Sequence, residues 1–148
     1  MMSHHSFSMS ALLLSACLSA GCHRAITRSS EVTLSFEGYV PDKVEPRAFF
    51  RMTNNTDEPF WFYGFDLQHP LFEIHRKTEK GWKQVASAFC ATGAEPQVLG
   101  PGESTWIPLW LSPQEGVLRL QIGVASFNEP EEVELNSNEF QIVSSDDS

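Results

Sequence analysis

Hydrophobic and polar residues alternate with a period of two from Glu31 to about residue 143, and this pattern limits the possible folds more than any other feature. In "EVTLSFEGYV", Val32, Leu34 and Phe36 alternate with Thr33, Ser35 and Glu37, and "GVLRLQIGVAS" repeats the pattern later in the chain. A period of two is typical of strands with one buried face, whereas an amphipathic helix repeats every ~3.6 residues. No stretch of any length shows the helical period. The sequence therefore predicts an all-β body.

Turn-forming residues divide this body into seven or eight short strands. The clusters "NNTDEP", "TEKG" and "LGPGES" separate successive strands. "TEKG" is predicted to form a hairpin turn in which its last residue, Gly81, adopts a positive φ. Short strands at a spacing of roughly ten residues predict an antiparallel sandwich or barrel. We favour the sandwich because Pro46, Pro59 and Pro108 mark strand starts or edges, which a closed barrel would tolerate poorly. We expect residues 31–143 to form this domain and residues 144–148 to form a disordered tail.

The alternation also predicts which side chains are buried. We expect these apolar residues in the core: Phe36, Phe50, Leu118, Leu120, Ile122 and Val124. The aromatic strand "PFWFYGF" is ambiguous, because either Phe60 and Phe62 or Trp61 and Tyr63 can supply its buried face.

The strand "TWIPLWL" carries a candidate binding patch. Trp106 and Trp110 lie four residues apart and therefore share one face of the strand. The opposite face consists of aliphatic residues that suit the core: Ile107, Leu109 and Leu111. Pro108 cannot donate to a neighbouring strand, which favours an edge position. Two outward tryptophans on an edge strand predict a contact with an envelope protein or a glycan.

An Asn-rich turn and a Leu-x-Pro-Gly-Glu turn separate strands in the segments "FFRMTNNTDEPFWF", "LGPGESTWIPLWL", "GVLRLQIGV" and "SNEFQIV". This layout resembles the immunoglobulin- or fibronectin type III-like domains of bacterial surface proteins. The body also resembles the bacterial intracellular proteinase inhibitor domain, a similar sandwich. Both resemblances imply a binding or structural module, and neither supplies a catalytic residue. An inhibitor would present the irregular segment "AFCATGAEPQ", residues 88–97. A carbohydrate-binding module is a third alternative.

The first 21 residues contain no Lys, Arg, Asp or Glu. The apolar stretch from Met9 to Leu18 has the length of a signal-peptide core and is too short to span a bilayer. Small residues and a cysteine follow it. This leader resembles the lipobox of bacterial lipoproteins, which implies that a cysteine is acylated and becomes the mature N-terminus.

Two cysteines compete for that modification. "SAGC" places Gly21 directly before Cys22 and leaves a leader of ordinary length, so we predict lipidation at Cys22. "LSAC" places Leu14 three residues before Cys17, the preferred spacing, but leaves a leader of only sixteen residues. Cys17 is therefore the alternative. The leader departs from the family pattern in having His4 and His5, but no Lys or Arg, before its apolar stretch.

Lipidation would place the protein in the bacterial cell envelope, outside the cytoplasm. Residues 1–21 would be the signal peptide and residues 22–30 a short tether. Several acyl chains make attachment to the lipid bilayer stable, whereas one chain binds only marginally. Cleavage as an ordinary secreted protein, and an apolar N-terminal helix in a cytosolic protein, are the alternatives.

The charge balance excludes one class of partner. Nineteen acidic residues against ten basic ones give a net charge of -9. Nucleic-acid binding and attachment to anionic lipid both depend on clustered Lys and Arg. We therefore expect no nucleic-acid partner.

The remaining residues with reactive or ligating side chains form no recognisable catalytic or metal motif, so we expect no enzyme activity and no cofactor. Cys90 is expected to be an inert thiol, or to pair with Cys22 if Cys17 carries the lipid. His69 and His75 are six residues apart, with Asp66 and Glu73 nearby, and this spacing does not match that of a zinc site.

Two further stretches have simple interpretations. The acidic stretch "NEPEEVELN" contains Glu129, Glu131, Glu132 and Glu134 without the glycine of a calcium loop, and is predicted to be a solvated loop. The Asn54-Asn55-Thr56 glycosylation sequon is interpreted as accidental, because the leader resembles that of bacterial lipoproteins.

Overall fold

The computed structural model describes residues 31–88 and 92–142. These ranges contain ten β-strands and no helix. The strands are β1 (Val32–Val40), β2 (Arg47–Asn54), β3 (Phe60–Gly64), β4 (Glu73–Thr78), β5 (Gly81–Ser87), β6 (Glu95–Leu99), β7 (Ser104–Trp110), β8 (Gln114–Ser126), β9 (Val133–Asn136) and β10 (Phe140–Ile142). The predicted all-β class is confirmed.

The strands form two antiparallel sheets. The smaller sheet has three strands in the order β1-β2-β7. The larger has seven: β5-β4-β8-β3-β6 form one path, and β9 and β10 also pair with β8. Leu118 of β8 is paired with Arg76 of β4 and with Phe140 of β10, so both sides of this long strand are occupied. The two sheets pack face to face, which confirms the predicted sandwich.

The core lies between the inner faces of the sheets. Buried and partly buried residues alternate without interruption along β2, where Ala48, Phe50 and Met52 point inward. The larger sheet contributes Phe60, Phe62, Ile74, Leu118, Leu120, Ile122, Val124, Phe140 and Ile142. Five of the six predicted core residues are therefore confirmed: Phe50, Leu118, Leu120, Ile122 and Val124.

Phe36 is the exception, because it is only half-buried. It packs against the core, and its ring stacks on Phe140 with 4.6 Å between the ring centroids. Its strand, β1, is the outermost strand of the small sheet, and the pairing with β2 slips between Phe36 and Gly38. A bulge bends its strand, so Phe36 is covered less completely than Leu34, which lies before the bulge in the same strand.

Two strands lie where irregular structure was predicted. The segment predicted as irregular over residues 88–97 ends in β6, which pairs with β3, and the acidic stretch predicted as a solvated loop contains β9, which pairs with β8. Pro96 in β6 and the glutamates around β9 are residues with low strand propensity. Pairing with a neighbouring strand overrides that propensity. β6 and β9 are therefore additional to the predicted seven or eight strands, and the described residues contain ten.

The turn and proline predictions are confirmed. Gly81 has φ of 111° at the start of β5, in the hairpin that follows β4. Pro46 and Pro59 directly precede β2 and β3. Pro108 lies within β7, which pairs only with β2 among the described strands and forms an edge of the small sheet.

Candidate functional site

The side chains of β7 alternate between the core and the outer face of the small sheet. Ile107 is fully buried and Leu109 is 5% exposed, whereas Trp106 is 44% exposed and Trp110 is 69% exposed. Leu111, directly after the strand, is also buried. The parity predicted from the sequence is therefore confirmed, and two tryptophans lie on an outer sheet face beside a strand edge.

Arginines from the neighbouring strand pack against both tryptophans. Arg51 lies directly opposite Trp106 in the β2–β7 register, and its Cζ is 4.2 Å from the centre of the indole ring. Arg47 lies opposite Trp110 at 5.9 Å. Cations within about 6 Å of an aromatic ring centre are attracted by its negative face. We call this surface the Trp–Arg face, and it consists of Arg47, Phe49, Arg51, Trp106, Pro108 and Trp110.

The two arginines are held in different ways. Arg47 Nη2 donates a hydrogen bond of 2.6 Å to Glu45 Oε2. Arg51 Nε lies 3.8 Å from Glu37 Oε1, which is beyond hydrogen-bond distance, and it has no hydrogen-bond partner in the described part of the chain. The Arg51 guanidinium therefore lies between the Trp106 ring and the Glu37 carboxylate, without a hydrogen bond from Nε. The side chains of both arginines remain about two-fifths exposed, at 41% and 43%.

Alternation within β2 does not by itself reveal that the arginines and Phe49 belong to this surface. A signal exists in "RAFFRMTN", where Arg47, Phe49 and Arg51 share one parity. However, that parity becomes informative only when the register places it beside the tryptophans. This register joins strands about sixty residues apart in the chain.

The second aromatic strand, β3, contributes to the core. Phe60 and Phe62 are buried, whereas Trp61 is half-buried and Tyr63 is 43% exposed. The rings of Trp61 and Tyr63 pack edge to face, with centroids 5.4 Å apart. This settles the parity that the sequence left open. Trp61 and Tyr63 lie on the outer face of the larger sheet, apart from the Trp–Arg face.

The two histidines of the body pair with different carboxylates. His69 Nδ1 lies 2.8 Å from both carboxylate oxygens of Asp66, and His75 Nε2 lies 2.7 Å from Glu73 Oε2. The hydrogen bond with His69 is the largest cause that lowers the pKa of Asp66. Within residues 31–88 and 92–142, no group of three or more His, Cys, Asp or Glu side chains is placed to hold a metal ion.

The Asn54 sequon is not a surface feature. Asn54 is fully buried, and its amide Nδ2 donates to the backbone carbonyl oxygens of Glu58 and Leu99. Its side chain is therefore committed to the protein interior.

Cys17, Cys22 and Cys90 lie outside the described residues, so the predictions for them rest on the sequence. The described part of the chain contains no helix long and apolar enough to cross a membrane.

No protein-family model matches the chain, and no curated protein matches it. Two solved structures are similar to it at low identity. One is described as the putative ApaA protein of Bordetella pertussis, with 17% identity and a TM-score of 0.44, covering 78% of this chain and 95% of that chain. The other is a structural-genomics target designated SoR45, with 12% identity and a TM-score of 0.39, covering 82% of this chain and 92% of that chain. Both likenesses are distant, and the all-β two-sheet architecture rests on the strand pairing of the described residues.

Proposed function

We propose that this protein is a membrane-anchored extracytoplasmic lipoprotein whose single immunoglobulin- or fibronectin type III-like module binds an envelope protein through the Trp–Arg face. The observation that carries the proposal is the exposure of Trp106 and Trp110 on an outer sheet face, each beside a stacked arginine. Tryptophan and arginine are the residues most enriched among those that dominate the energy of protein–protein binding.

A contact through side chains suits this edge strand better than the addition of another strand. Strand addition requires a continuous row of backbone N–H and C=O groups. Pro108 lies inside β7, two residues before its end, and has no N–H to donate. The exposed indole and guanidinium groups remain available, and they offer both apolar area and hydrogen-bond donors.

A protein partner is favoured over a glycan at Trp106. The Arg51 guanidinium covers one face of this indole at 4.2 Å, so that face cannot stack on a sugar ring, and the guanidinium supplies donors that suit a carboxylate of a protein partner. The Arg47–Trp110 contact is longer, at 5.9 Å, and Trp110 is the more exposed residue. A glycan contact at Trp110 is therefore the alternative, and the binding experiment must distinguish it from a protein contact.

The experiment uses full-length protein as bait in envelope extract, followed by affinity measurement with each purified captured protein. We expect Trp106→Ala with Trp110→Ala to weaken the specific interaction by about 30-fold or more, as loss of a dominant contact residue does. Phe127→Ala removes another exposed aromatic ring, 59% exposed and outside the Trp–Arg face, and should leave affinity unchanged. Equal capture by the double variant would refute this contact surface. Binding to purified envelope glycans that depends on Trp110 alone would favour the carbohydrate alternative.

The anchor is tested separately from the partner. Cys22→Ser should abolish incorporation of a labelled fatty acid and release the protein from membranes. Labelling that persists in this variant but disappears with Cys17→Ser would place the lipid on Cys17. Labelling that persists in both single variants would refute a single lipobox cysteine.

A further inference from the structure

We propose that residues 24–28, the segment "RAITR" that precedes the described range, dock into an apolar pocket at one end of the sandwich. The pocket has a volume of about 380 Å³ and lies between the start of β1 in the small sheet and the end of β8 in the larger sheet. Apolar side chains from both sheets line it: Val32, Phe60, Val124, Ala125 and Val133. An apolar cavity of about 150 Å³ can bind benzene, so this one has room for a branched aliphatic side chain. We call it the end pocket.

The walls of the end pocket leave apolar surface in contact with water. Val133 of β9 is 59% exposed and Val32 of β1 is half-buried, whereas Phe60 and Val124, which also line the pocket, are buried. Val32 has the same inward parity as Leu34, which is buried in the core. The core is therefore incompletely covered at this end of the sandwich. An apolar side chain seated there would remove the exposed surface of Val32 and Val133 from water, which is favourable.

Asn55 fixes the point where the preceding chain meets the end pocket. Its backbone N–H and its side-chain Nδ2 both donate to the carbonyl oxygen of Glu31, at 3.3 Å and 3.1 Å. The next residue, Thr56, lines the pocket. The chain before Glu31 therefore starts beside the pocket wall. Ile26 lies five residues earlier, and five residues span at most about 18 Å, so its side chain can reach the pocket.

Carboxylates at the rim of the end pocket match the charge of this segment. Four exposed acidic residues line the pocket, and none of them forms a salt bridge with another described residue: Asp57, Glu58, Glu129 and Glu131. Asn128 Nδ2 donates to Glu58 Oε1 at 2.6 Å, which holds the two acidic stretches together. The segment "RAITR" contains two arginines and no acidic residue. Arg24 and Arg28 can therefore pair with the rim while Ile26 occupies the apolar part.

The C-terminal residues of the chain fit the end pocket less well. Ile142 of β10 pairs with Gln114 at the start of β8, whereas the pocket lies at the end of that strand. Ten residues of extended strand separate Gln114 from Val124, which is about 33 Å. The rim would also repel Asp146 and Asp147. The N-terminal segment is therefore the occupant that position and charge both favour.

Docking would determine how the sandwich is held at its anchor. Val32 pairs with Asn54 at the end pocket, whereas Trp110 pairs with Arg47 at the opposite end of β2. With residues 24–28 docked, the pocket end lies beside the anchored cysteine, and Trp110 lies about 23 Å farther along the strands. This consequence rests on the proposed lipidation. Docking itself does not, because it requires only residues 24–28 and the end pocket.

The test measures how fast trypsin cleaves after Arg28 in the full chain as isolated from cells, which keeps residues 24–28 whichever cysteine carries the lipid. Each rate is divided by the rate for a synthetic peptide of residues 22–32 with the same substitution, which corrects for the sequence preference of trypsin. Docking should slow cleavage by about tenfold relative to the peptide. Ile26→Ser should remove most of this protection, whereas Ile26→Val should keep it. Cleavage of the unmodified protein at the rate of the peptide, or full protection in Ile26→Ser, would overturn the proposal.

Matched variants test the role of the rim. Glu129→Gln with Glu131→Gln should speed cleavage by about threefold or more, because two rim charges are lost. Glu132→Gln with Glu134→Gln removes the same charge from exposed residues that do not line the end pocket, and should leave the rate unchanged. Equal effects of the two double variants would show that only net charge matters and would overturn the proposal. Protection that increases with protein concentration would place the segment on a second copy of the chain, which would overturn docking within one chain.

Methyl signals in carbon-13 nuclear magnetic resonance spectra locate the docked segment. Ile26→Ser should shift the signals of Val32 and Val133 and leave that of Ile142, at the other end of β8, unchanged. No shift at Val32 and Val133 would overturn the proposal. Fatty-acid labelling separates docking from anchoring. Protection without labelling would refute the anchor alone, and labelling without protection would refute docking alone.

Discussion

The side chain of Asn54 joins the two sheets through a hydrogen bond of 3.1 Å from Nδ2 to the backbone carbonyl oxygen of Leu99. Asn54 ends β2 in the small sheet, and Leu99 ends β6 in the larger sheet. Nδ2 also donates to the carbonyl of Glu58 at 2.8 Å, while Oδ1 accepts from Thr56 N at 2.9 Å and from Thr56 Oγ1 at 2.7 Å. All four hydrogen-bonding positions of this fully buried amide are therefore used.

We predict that Asn54→Ala lowers the free energy of unfolding by about 3 kcal/mol, because it removes the buried hydrogen bond to the Leu99 carbonyl and the acceptor for both Thr56 donors. Chemical denaturation of the purified protein measures this loss. Asn55→Ala is the matched control, since Asn55 is exposed although it makes comparable hydrogen bonds to Glu31 and Thr33. The control should lose less than about 1 kcal/mol. Equal losses in the two variants would show that the hydrogen bond from Asn54 to Leu99 stabilises the protein no more than the exposed turn hydrogen bonds of Asn55 do.

The exposed tryptophans should contribute little to folding. We predict that Trp106→Ala with Trp110→Ala changes the free energy of unfolding by about 1 kcal/mol or less, mainly through the lost arginine contacts. Ile107→Ala, one residue away on the buried face, should cost about 2–5 kcal/mol, because it leaves a cavity in the core. Thermal and urea denaturation of the two variants and the unmodified protein measure these changes in the free energy of unfolding. A loss of several kcal/mol in the double variant would show that the tryptophans are structural and would remove the basis of the proposed binding surface.

Gly64 should tolerate no side chain, in contrast to Gly123. A Cβ atom on Gly64 would lie 2.8 Å from the His69 carbonyl oxygen and 3.0 Å from the Pro70 Cα. These are backbone atoms that cannot move without opening the loop after β3. We predict that Gly64→Ala costs about 1–3 kcal/mol. Gly123→Ala meets only the flexible end of Glu132 and should cost less than about 1 kcal/mol. Urea denaturation measures the free energy of unfolding of both variants. Similar values for Gly64→Ala and Gly123→Ala would contradict the close packing of backbone atoms around Gly64.

Asp66 should stabilise the loop after β3 in a pH-dependent way. Its Oδ1 accepts hydrogen bonds from Gln68 N at 2.7 Å and from His69 N at 3.0 Å, and the hydrogen bond with the His69 ring is the largest cause that lowers the pKa of its carboxyl group. A carboxylate whose pKa is lower in the folded protein contributes stability above its unfolded pKa of about 3.9, and that contribution is lost as the pH falls through the folded value.

We therefore predict that Asp66→Ala lowers stability by about 1 kcal/mol at pH 7, through lost turn hydrogen bonds. The difference from the unmodified protein should shrink as the pH falls below about 4. Denaturation curves at several pH values measure this difference. Asp57→Ala, which removes a carboxylate from another exposed turn, is the control for the loss of a surface charge. A difference at Asp66 that stays constant down to pH values near 2 would contradict the role of the ionised carboxylate.

Local sequence determined the strand class, most of the core and the orientation of β7. The two parities of "TWIPLWL" differ in chemistry, so burial of Ile107 and exposure of Trp106 follow from alternation alone. Pro108 identified the edge position because it lacks an N–H, and Gly81 identified the hairpin because it can adopt positive φ. These are properties of one residue or one strand, and they require no knowledge of neighbouring strands.

Only the tertiary structure decided the features that depend on pairing between distant segments. Both parities of "PFWFYGF" are aromatic, so burial of Phe60 and Phe62 was settled by which face of β3 meets the core. β6 and β9 have weak strand propensity and exist because β3 and β8 provide hydrogen-bonding partners. The stacking of Arg51 on Trp106 depends on a register between distant strands, and the burial of Gln121 depends on β4 and β9 flanking it. Alternation specifies which way a side chain points, but the partner that it meets there is set by how the sheets assemble.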